Sequence, residues 1–480
     1  MAIVQNTQNL AFTVNKNTEW IADTFADITG VSNGEYVYVK DTDEIWHKEK
    51  GDLYEVTRQF TESFKGTSIA NKKFLNNIRG GLTHARRNSN FNIIKIGDSN
   101  TEFVDDGEGW LNALLSRGFN ISSYGNTSIW GGSHWDGYLG ASPNIDYSKW
   151  EVRNRVTSIK GNSLNMYSIV STSDVNNFYI YGAYYNSSPI DRLEKIRQIE
   201  IHYIAKSGGG IFEIKTGVTF GNYAAGTVVG TIDTSDLAVT GLSGGVTYSA
   251  TGTNGYKVAY ITLPADVQMY YGIKVNSQST NGVELLNIIC RAGNQFDGNS
   301  VGLLRFGQIG LRATELSNLN VNLFQEQIQA ITKQRSIAGT DYGLILLRLG
   351  TNDCKDGISV VDFKNSLTTI VQRIKTTPTI ANYGVMLMGI PHYNTSDYGA
   401  SYGGLTWGGS TDLIRQYNVA IKEVAIDENI AFFDAELIAK DFKEMYDNEY
   451  YTKGLGVVDN IHYNIFYSKM EANTILDIIE

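Results

Sequence analysis

Four residues of the types that carry out acyl transfer follow apolar, strand-like runs in this chain. Ser99 lies in IIKIGDSN, Asn352 in LLRLGTND, and Asp459 and His462 stand three positions apart in VVDNIHYN. A serine hydroxyl can attack a carbonyl carbon, a histidine can accept its proton, and a carboxylate can orient the imidazole. A side-chain amide can stabilise the resulting oxyanion. These side chains are therefore candidates for one hydrolytic site, provided that the fold brings them together.

The spacing of Asp459 and His462 favours a working pair. At positions i and i+3 of one turn, the carboxylate can accept the imidazole Nδ1–H and leave Nε2 free as the base. Ser99 directly follows a strand-like run, where its own N–H can point at an oxyanion beside a helix N-terminus. Each residue alone is more typical of a turn or a helix cap than of a catalytic site. The interpretation depends on all four occurring in this order.

Alternating strand and helix patterns predict an α/β core with a parallel sheet flanked by helices. Buried strands are predicted at FNIIKIG, YGLILLRLG, YGVMLMGI and IAFFD. Ser359 and Asp362 predict a capping box for the helix SVVDFKNSLTTIVQRIK. Its apolar face comprises Phe363, Leu367, Ile370, Val371 and Ile374. Because parallel strands end at one edge of a sheet, Ser99 and Asn352 are both expected at that edge.

A change of pattern divides the chain into four segments. Residues 1–62 read as a small β module with an antiparallel meander, and residues 63–150 as the first part of the core. Residues 151–311 contain only β-like segments separated by Gly-, Ser-, Thr- and Asn-rich turns, which predicts an inserted sandwich or jelly roll. Residues 312–480 then complete the core. A length of 480 residues agrees with several domains.

Composition excludes several classes of partner. A net charge of −10 without a basic stripe argues against nucleic acid or an anionic membrane as a partner. The longest apolar runs are only strand-length, and the start of the chain lacks the pattern of a signal peptide. Cys290 and Cys354 fall in different predicted segments, so no disulfide framework is expected. The histidines are too scattered to indicate a metal site, and we expect no metal and no cofactor.

The order of the polar motifs resembles that of the SGNH (GDSL-type) hydrolase family. Its blocks are matched by Gly97-Asp98-Ser99, by Asn126-Thr127-Ser128-Ile129-Trp130-Gly131, by Gly350-Thr351-Asn352-Asp353 and by Asp459 with His462. The resemblance implies that Ser99 is the nucleophile, His462 the base and Asp459 its orienter. It also implies an oxyanion hole formed by the N–H groups of Ser99 and Gly131 and the side chain of Asn352. Gly125 and Gly132 compete with Gly131 for that place. Asn100 and Tyr463 depart from the family, which often has leucine and proline there.

Aromatic and polar loops adjoin the expected site. WGGSHWDGY follows the short predicted strand GFNISS at 118–123, and PHYNTSDYGASYGGLTWGG follows Ile390. Such rings can stack on sugars while amides and hydroxyls bind sugar hydroxyl groups, although they are equally common as anchors of loops. The candidate substrate-binding residues are Trp130, Trp135, Tyr393, Tyr402 and Trp407.

The segment IADTFADITGVSNGEYVYVKDTDEIWHKEKG resembles short modules near the start of bacteriophage tail-fibre and tailspike proteins. Together with the esterase motifs, it implies a receptor-binding tail protein that deacetylates a bacterial capsule or O-antigen polysaccharide. Residues 1–62 would attach it to other tail proteins, and such proteins are commonly trimers. The protein would be made in the bacterial cytoplasm and carried on the virion to the host surface. Two alternatives stay open: a glycan-binding adhesin without catalysis, and an esterase for lipids or other small esters.

Overall fold

The computed structural model describes most of the chain from residue 73 onward and the backbone of four earlier strands. The described ranges are 19–22, 36–39, 44–49, 52–55, 73–126, 150–153, 161–171 without 165, 178–181, 196–218, 226–235, 246–250, 255–267, 270–277, and 282–480 without 338, 403, 455 and 456. None of the helices in these ranges is both long and apolar enough to cross a membrane.

Twenty-two strands fall in these ranges. They are β1 (Glu19–Ala22), β2 (Tyr36–Val39), β3 (Glu44–Glu49), β4 (Asp52–Glu55), β5 (Ser89–Gly97), β6 (Ile121–Asn126), β7 (Trp150–Arg153), β8 (Ser168–Ser171), β9 (Phe178–Tyr181), β10 (Ile196–Ile204), β11 (Ile211–Val218), β12 (Thr227–Asp233), β13 (Val246–Ala250), β14 (Tyr256–Val267), β15 (Tyr270–Ser277), β16 (Glu284–Ala292), β17 (Asn299–Gly307), β18 (Asp341–Arg348), β19 (Tyr383–Met388), β20 (Ala431–Phe433), β21 (Tyr451–Gly454) and β22 (Val457–Tyr463).

Eleven α-helices accompany these strands within the described ranges. They are α1 (Gly81–His84), α2 (Ser99–Glu102), α3 (Val104–Ser116), α4 (Gly293–Asp297), α5 (Ala313–Leu316), α6 (Val321–Ile331), α7 (Thr351–Lys355), α8 (Val360–Lys375), α9 (Thr411–Asp427), α10 (Phe442–Asp447) and α11 (Ile465–Ile479). Short 3₁₀ turns occur at Lys73–Leu75, Pro378–Asn382, Gly399–Tyr402 and Ala435–Leu437.

A parallel sheet of six strands forms the centre of the core, in the order β20-β19-β18-β5-β17-β6. Every residue of β5 is buried, as expected for a strand covered by helices on both faces. Phe91 and Ile93 contact the side that holds α3 and α11, whereas Ile94 and Ile96 contact the side that holds α8 and α9. This confirms the predicted α/β class with a parallel sheet flanked by helices.

Helix α8 forms as its sequence predicts. Ser359 is the N-cap, and its hydroxyl accepts the Asp362 N–H at 3.0 Å. The buried residues of the helix are the five that its apolar periodicity singles out: Phe363, Leu367, Ile370, Val371 and Ile374.

Two antiparallel sheets occupy the stretch between β6 and the next core strand. One has the order β13-β14-β10-β16-β8-β7 and the other β12-β11-β15-β9. They meet where the ring of Tyr203 on β10 packs edge-to-face on Phe212 on β11, with the centroids 6.0 Å apart. Buried Glu200 on β10 accepts hydrogen bonds from Arg335, just beyond α6, at 2.8 and 3.1 Å. This ion pair joins the antiparallel sheets to the core.

Strand β17 corrects the predicted end of the insertion. Residues 299–307 fall inside the predicted β segment 151–311, but β17 pairs in parallel with β5 on one side and β6 on the other. The core therefore resumes before residue 312. NSVGLLRFG reads like the antiparallel segments before it because both kinds of strand are apolar, and only the pairing separates them.

The first segment forms its own four-stranded sheet, ordered β1-β2-β3-β4. Strands β2, β3 and β4 are antiparallel neighbours, which agrees with the predicted meander, and β1 is parallel to β2.

Glycines at two positions allow the sharp turns that follow β5 and β18 at the carboxyl edge of the sheet. Gly97 pairs with Arg348 at the carboxyl ends of these strands. A Cβ on Gly97 would lie 2.7 Å from the carbonyl oxygen of Arg348, so the close approach requires glycine. Gly350 has a φ of 122°, a left-handed conformation that favours glycine. The chain therefore turns sharply after both strands, and the turns carry Ser99 and Asn352.

Candidate active site

The turn after β5 presents Ser99 as the first residue of α2. Asp98 is the N-cap, and its carboxylate accepts the Asn100 N–H at 3.0 Å. Arg305 of β17 supports this turn from below, because its buried guanidinium donates to the carbonyls of Thr101 at 3.1 Å and Phe103 at 2.7 Å. Ser99 is only 6% exposed. The serine thus projects from a short turn that is held at both ends.

Ser99, His462 and Asp459 lie in one hydrogen-bonded line. The distance from His462 Nε2 to Ser99 Oγ is 2.8 Å, and that from His462 Nδ1 to Asp459 Oδ2 is 2.5 Å. The serine comes from the end of β5 and the other two from β22, so 363 positions of sequence separate the bonded nucleophile and base. The arrangement can transfer a proton from the hydroxyl to the imidazole while the carboxylate holds the ring.

The Asp459 carboxylate is itself fixed by its own turn. Its Oδ1 accepts the backbone N–H of Ile461 at 3.0 Å and of His462 at 2.9 Å. The intervening Asn460 has a φ of 61°, in the left-handed region that asparagine tolerates better than most residues. Its backbone carbonyl accepts the N–H of Asn394 at 3.0 Å. One carboxylate oxygen therefore orders the turn and the other faces the imidazole.

An aromatic ring covers one face of the imidazole. Phe103 stacks on His462 with the ring centroids 3.9 Å apart and the planes at 17°. Since Phe103 follows α2 directly, the turn that carries the serine also supplies the wall beside the histidine. The stack restricts the rotation of the ring that its two hydrogen bonds already orient.

Asn352 lies on α7, at the adjacent strand end. It is buried, and its Nδ2 donates to the carbonyl of Leu311 at 3.3 Å. An amide nitrogen carries two N–H groups, so this bond orients the side chain and uses only one of them.

Asp353, the last residue of the same motif, anchors the start of α5. Its carboxylate accepts the N–H of Ala313 at 2.9 Å and both the N–H and the hydroxyl of Thr314. Burial raises the pKa of Asp353 to about 6, although these hydrogen bonds oppose that change. Asp353 thus orders the loop that holds Asn352 in place.

A buried ionic network lies beneath the catalytic turn. Lys95 of β5 pairs with Asp106 of α3, and Arg348 of β18 pairs with Glu471 of α11. Arg348 also donates to the hydroxyl of Tyr463, which in turn donates to Asp106 at 2.9 Å. Burial lowers the pKa of Lys95, whereas Glu471 raises the pKa of Arg348 against the effect of burial. The network connects four core elements to the residue next to His462.

The three predicted sugar-stacking residues of the 390–407 loop are packed against the protein or hydrogen-bonded to it. Tyr393 is 1% exposed and donates its hydroxyl to the carbonyl of Gly408 at 3.1 Å, so it has no ring face for a sugar. Tyr402 packs in a cluster with Tyr398, Phe442 and Tyr446. Trp407 donates its indole N–H to the carbonyl of Asp459 at 2.9 Å. The prediction is wrong for Tyr393, because the tyrosine faces the core.

Three other predicted site residues, Trp130, Gly131 and Trp135, lie outside the described residues, and so does Gly132. Gly125 lies in β6, opposite Leu304 of β17. Among the described residues, no group of three or more histidine, cysteine or acidic side chains could hold a metal ion.

Sequence reasoning missed several residues that support the site. Phe103 stacks on His462, and Arg305 bonds the turn that carries Ser99. Trp407, whose supporting role was not foreseen, bonds the carbonyl of Asp459, and the buried ionic network reaches Tyr463. A charged residue within an apolar strand, as in FNIIKIG or LLRLG, was the one signal of a buried network.

Comparisons with known proteins bear on the fold. No protein-family model matches this chain, and no curated protein matches its sequence. Among solved structures, a peptidoglycan O-acetylesterase matches with 12% identity over 86% of this chain and 96% of its own, at a TM-score of 0.50. An acetyl xylan esterase matches with 15% identity over 38% of this chain and 84% of its own, at a TM-score of 0.27. A member of the lipolytic G-D-S-L family from Veillonella parvula matches with 18% identity over 37% of this chain and 79% of its own, at a TM-score of 0.26. The chain therefore has a fold similar to that of the peptidoglycan O-acetylesterase over most of both chains.

Proposed function

We propose that this protein is a serine esterase that removes O-acetyl groups from a bacterial surface polysaccharide. The observation that carries the proposal is the line from Ser99 through His462 to Asp459, with distances of 2.8 and 2.5 Å. A protein that only bound glycan would have no use for a nucleophile, a base and an orienter in this geometry.

The residues account for a complete reaction. Ser99 Oγ attacks the ester carbonyl carbon while its proton passes to His462 Nε2, and Asp459 stabilises the imidazolium. The tetrahedral intermediate collapses, and His462 returns that proton to the departing sugar hydroxyl. A water molecule then attacks the acetyl-serine with His462 as base. Acetate leaves and the Ser99 hydroxyl is restored.

The oxyanion of each intermediate requires hydrogen-bond donors near Ser99. The backbone N–H of Ser99, at the start of α2, is one candidate donor, and the second N–H of the Asn352 amide is another. The sequence resemblance adds the N–H of Gly131 as a third. The proposed hole thus combines the ends of β5 and β18, which are neighbours in the sheet.

The polysaccharide substrate is supported by the fold and by the chain's composition. One solved structure with a similar fold over most of this chain is that of a peptidoglycan O-acetylesterase. The loop after β19 is rich in serine, threonine, asparagine and glycine, and its polar groups suit a short acyl group on a sugar better than a long aliphatic chain.

We also propose that residues 1–62 attach the enzyme to a bacteriophage tail. The support is the resemblance of this segment to the start of tail proteins and its separate four-stranded sheet. Removing residues 1–62 from the protein should leave esterase activity unchanged and abolish incorporation into particles. Loss of activity in the shortened chain would show instead that the segment belongs to the catalytic core.

Hydrolysis of a small chromogenic acetate ester by wild type and by Ser99→Ala tests the esterase function. We expect kcat to fall by at least roughly 10³-fold in Ser99→Ala, with unchanged thermal unfolding. Ser207→Ala, in an exposed turn of the antiparallel sheets, is the matched control and should keep full activity. Retained activity in Ser99→Ala would refute the mechanism. Better turnover of a long-chain ester than of the acetate would favour a lipid substrate.

A further inference from the structure

A cleft of about 840 Å³ opens beside Asp105 and Thr452, and the proposed reaction does not use it. Its walls are the start of α3, the turn between α10 and β21, and the first half of α11. The lining residues are Asp105, Asn448, Tyr450, Thr452, Phe466 and Lys469, among others. The volume falls in the range of small-molecule binding sites, roughly 300–1,000 Å³.

Two contacts connect the wall of the cleft to the elements that carry Phe103 and His462. Thr452 donates its hydroxyl to Asp105 at 2.8 Å and also approaches the carbonyl of Tyr463, the residue after His462, at 3.1 Å. Asp105 lies two positions after Phe103, whose ring stacks on His462. A ligand in the cleft would therefore extend toward the catalytic histidine.

The lining combines an exposed aromatic ring with polar groups. Phe466, in the first turn of α11, is 68% exposed. The next residue of the same helix, Tyr467, is fully buried. Around it are the Asn448 amide, the Tyr450 hydroxyl, the Asp105 carboxylate and the Lys469 ammonium. Sugar rings have apolar C–H faces that cover an aromatic ring and hydroxyl edges that bind amides and carboxylates. A long acyl chain would require aliphatic walls, and Met470 is the one aliphatic side chain among the lining residues.

The charges of the lining also discriminate among glycans. Asp105 and Glu449 contribute two carboxylates against the single ammonium of Lys469. The whole chain carries a net charge of −10. The excess of carboxylates in the cleft and the negative net charge of the chain both disfavour a polyanionic glycan, because like charges repel over the short distances of a cleft.

We propose that this cleft binds the sugar residues next to the acetylated one in a neutral polysaccharide, with Phe466 as the stacking platform. The inference rests on the esterase function proposed above. It assigns substrate length and charge selectivity to the α3–α11 face, separate from the reacting atoms.

The test compares full-length wild type with Phe466→Ala on a small acetate ester and on two partially O-acetylated polymers, a neutral β-glucan and an anionic polygalacturonate. We expect Phe466→Ala to lower kcat/KM for the acetylated glucan about tenfold, the scale of one aromatic contact, mainly through KM. Turnover of the small ester should change less than about twofold. Phe466→Tyr should restore turnover of the glucan, and wild type should prefer the glucan to polygalacturonate.

Val419→Ala, at another exposed apolar residue on α9, is the matched control and should change neither activity. Equal loss of activity on ester and polymer in Phe466→Ala would overturn the proposal, because it would indicate a structural effect. Unchanged turnover of the polymer, or no turnover of any polymer by wild type, would also overturn it. Failure of the esterase function itself is distinguishable, since small-ester hydrolysis would then persist in Ser99→Ala.

Discussion

The indole of Trp407 donates a hydrogen bond to the backbone carbonyl of Asp459, at 2.9 Å. The loop after β19 thereby supports the turn that carries the orienting carboxylate. The same loop bonds that turn a second time, through the N–H of Asn394 and the carbonyl of Asn460. We therefore expect Trp407 to act as a positioning residue, whereas the sequence predicts a sugar-stacking role for it.

The Trp407→Phe variant should lower kcat on the small ester and on polysaccharide by the same factor. Loss of one hydrogen bond is worth about 1 kcal/mol, or roughly fivefold in rate. Steady-state kinetics on both substrates provide the measurement. A rise in KM for the polysaccharide alone would restore the stacking role, because the small ester has no sugar to stack.

Removing the ring that covers His462 should slow the reaction without unfolding the protein. Phe103→Leu keeps an apolar side chain but loses the stack at 3.9 Å, so the imidazole gains freedom to rotate. We expect kcat/KM to fall roughly 3- to 10-fold, the scale of an aromatic pair. Phe103→Tyr retains the ring and is the matched control. Full activity of Phe103→Leu would show that the hydrogen bonds alone orient the histidine.

The buried network should respond to single and double substitutions differently. Its four charged members, Lys95, Asp106, Arg348 and Glu471, balance to zero. Either Arg348→Met or Glu471→Gln leaves one buried charge unpaired, which should lower the free energy of unfolding by roughly 3–5 kcal/mol. The double variant restores the balance and should lose clearly less than the sum.

Urea unfolding of the four proteins of this cycle measures the coupling. Additive losses would mean that the two side chains contribute independently. Each side chain would then stabilise the core through packing alone, and the ion pair between them would contribute nothing.

Asp353 should make stability depend on pH in the acidic range. Its pKa is raised by burial from 3.8 to about 6, so the folded protein holds a proton there that the unfolded chain releases. This contribution to stability is present below pH 3.8 and is lost as the pH rises through 6. The loss amounts to about 3 kcal/mol at roughly 1.4 kcal/mol for each pH unit between the two values.

Asp353→Asn removes this titration. Unfolding midpoints of wild type and variant between pH 4 and pH 7 should therefore differ in slope, with the wild type losing more stability as the pH rises. Parallel curves would show that the hydrogen bonds from Ala313 and Thr314 keep the carboxylate ionised.

Much of the core was predictable because its signals are local. The run FNIIKIG and the periodic face of α8 predict their own burial directly, and Ser99 and Asn352 each follow the end of a strand. The relation between Ser99 and His462 was inferable from the resemblance, and the distance of 2.8 Å agrees with it.

The supporting contacts were not predictable, because they depend on which strands become neighbours. Arg305 reads as part of a β insertion until β17 is seen to pair with β5. Tyr393 reads as a loop aromatic until its ring is found against the core, 1% exposed. In both cases the deciding partner is distant in sequence, where propensity and periodicity carry no information.

The position of β17 between β5 and β6 has a consequence for synthesis of the chain. Strand β6 lies at the edge of the parallel sheet, where it is hydrogen-bonded to β17. The first residue of β17 comes more than 170 positions after the last residue of β6. On the ribosome, β6 therefore emerges long before its neighbour exists, and at about 5–20 residues per second the delay is on the order of 10–30 seconds. During that time the edge of β6 has no partner strand and is open to wrong pairing. The half of the core that carries Ser99 thus completes its sheet only after a stretch of chain that supplies none of Ser99, Asp459 and His462.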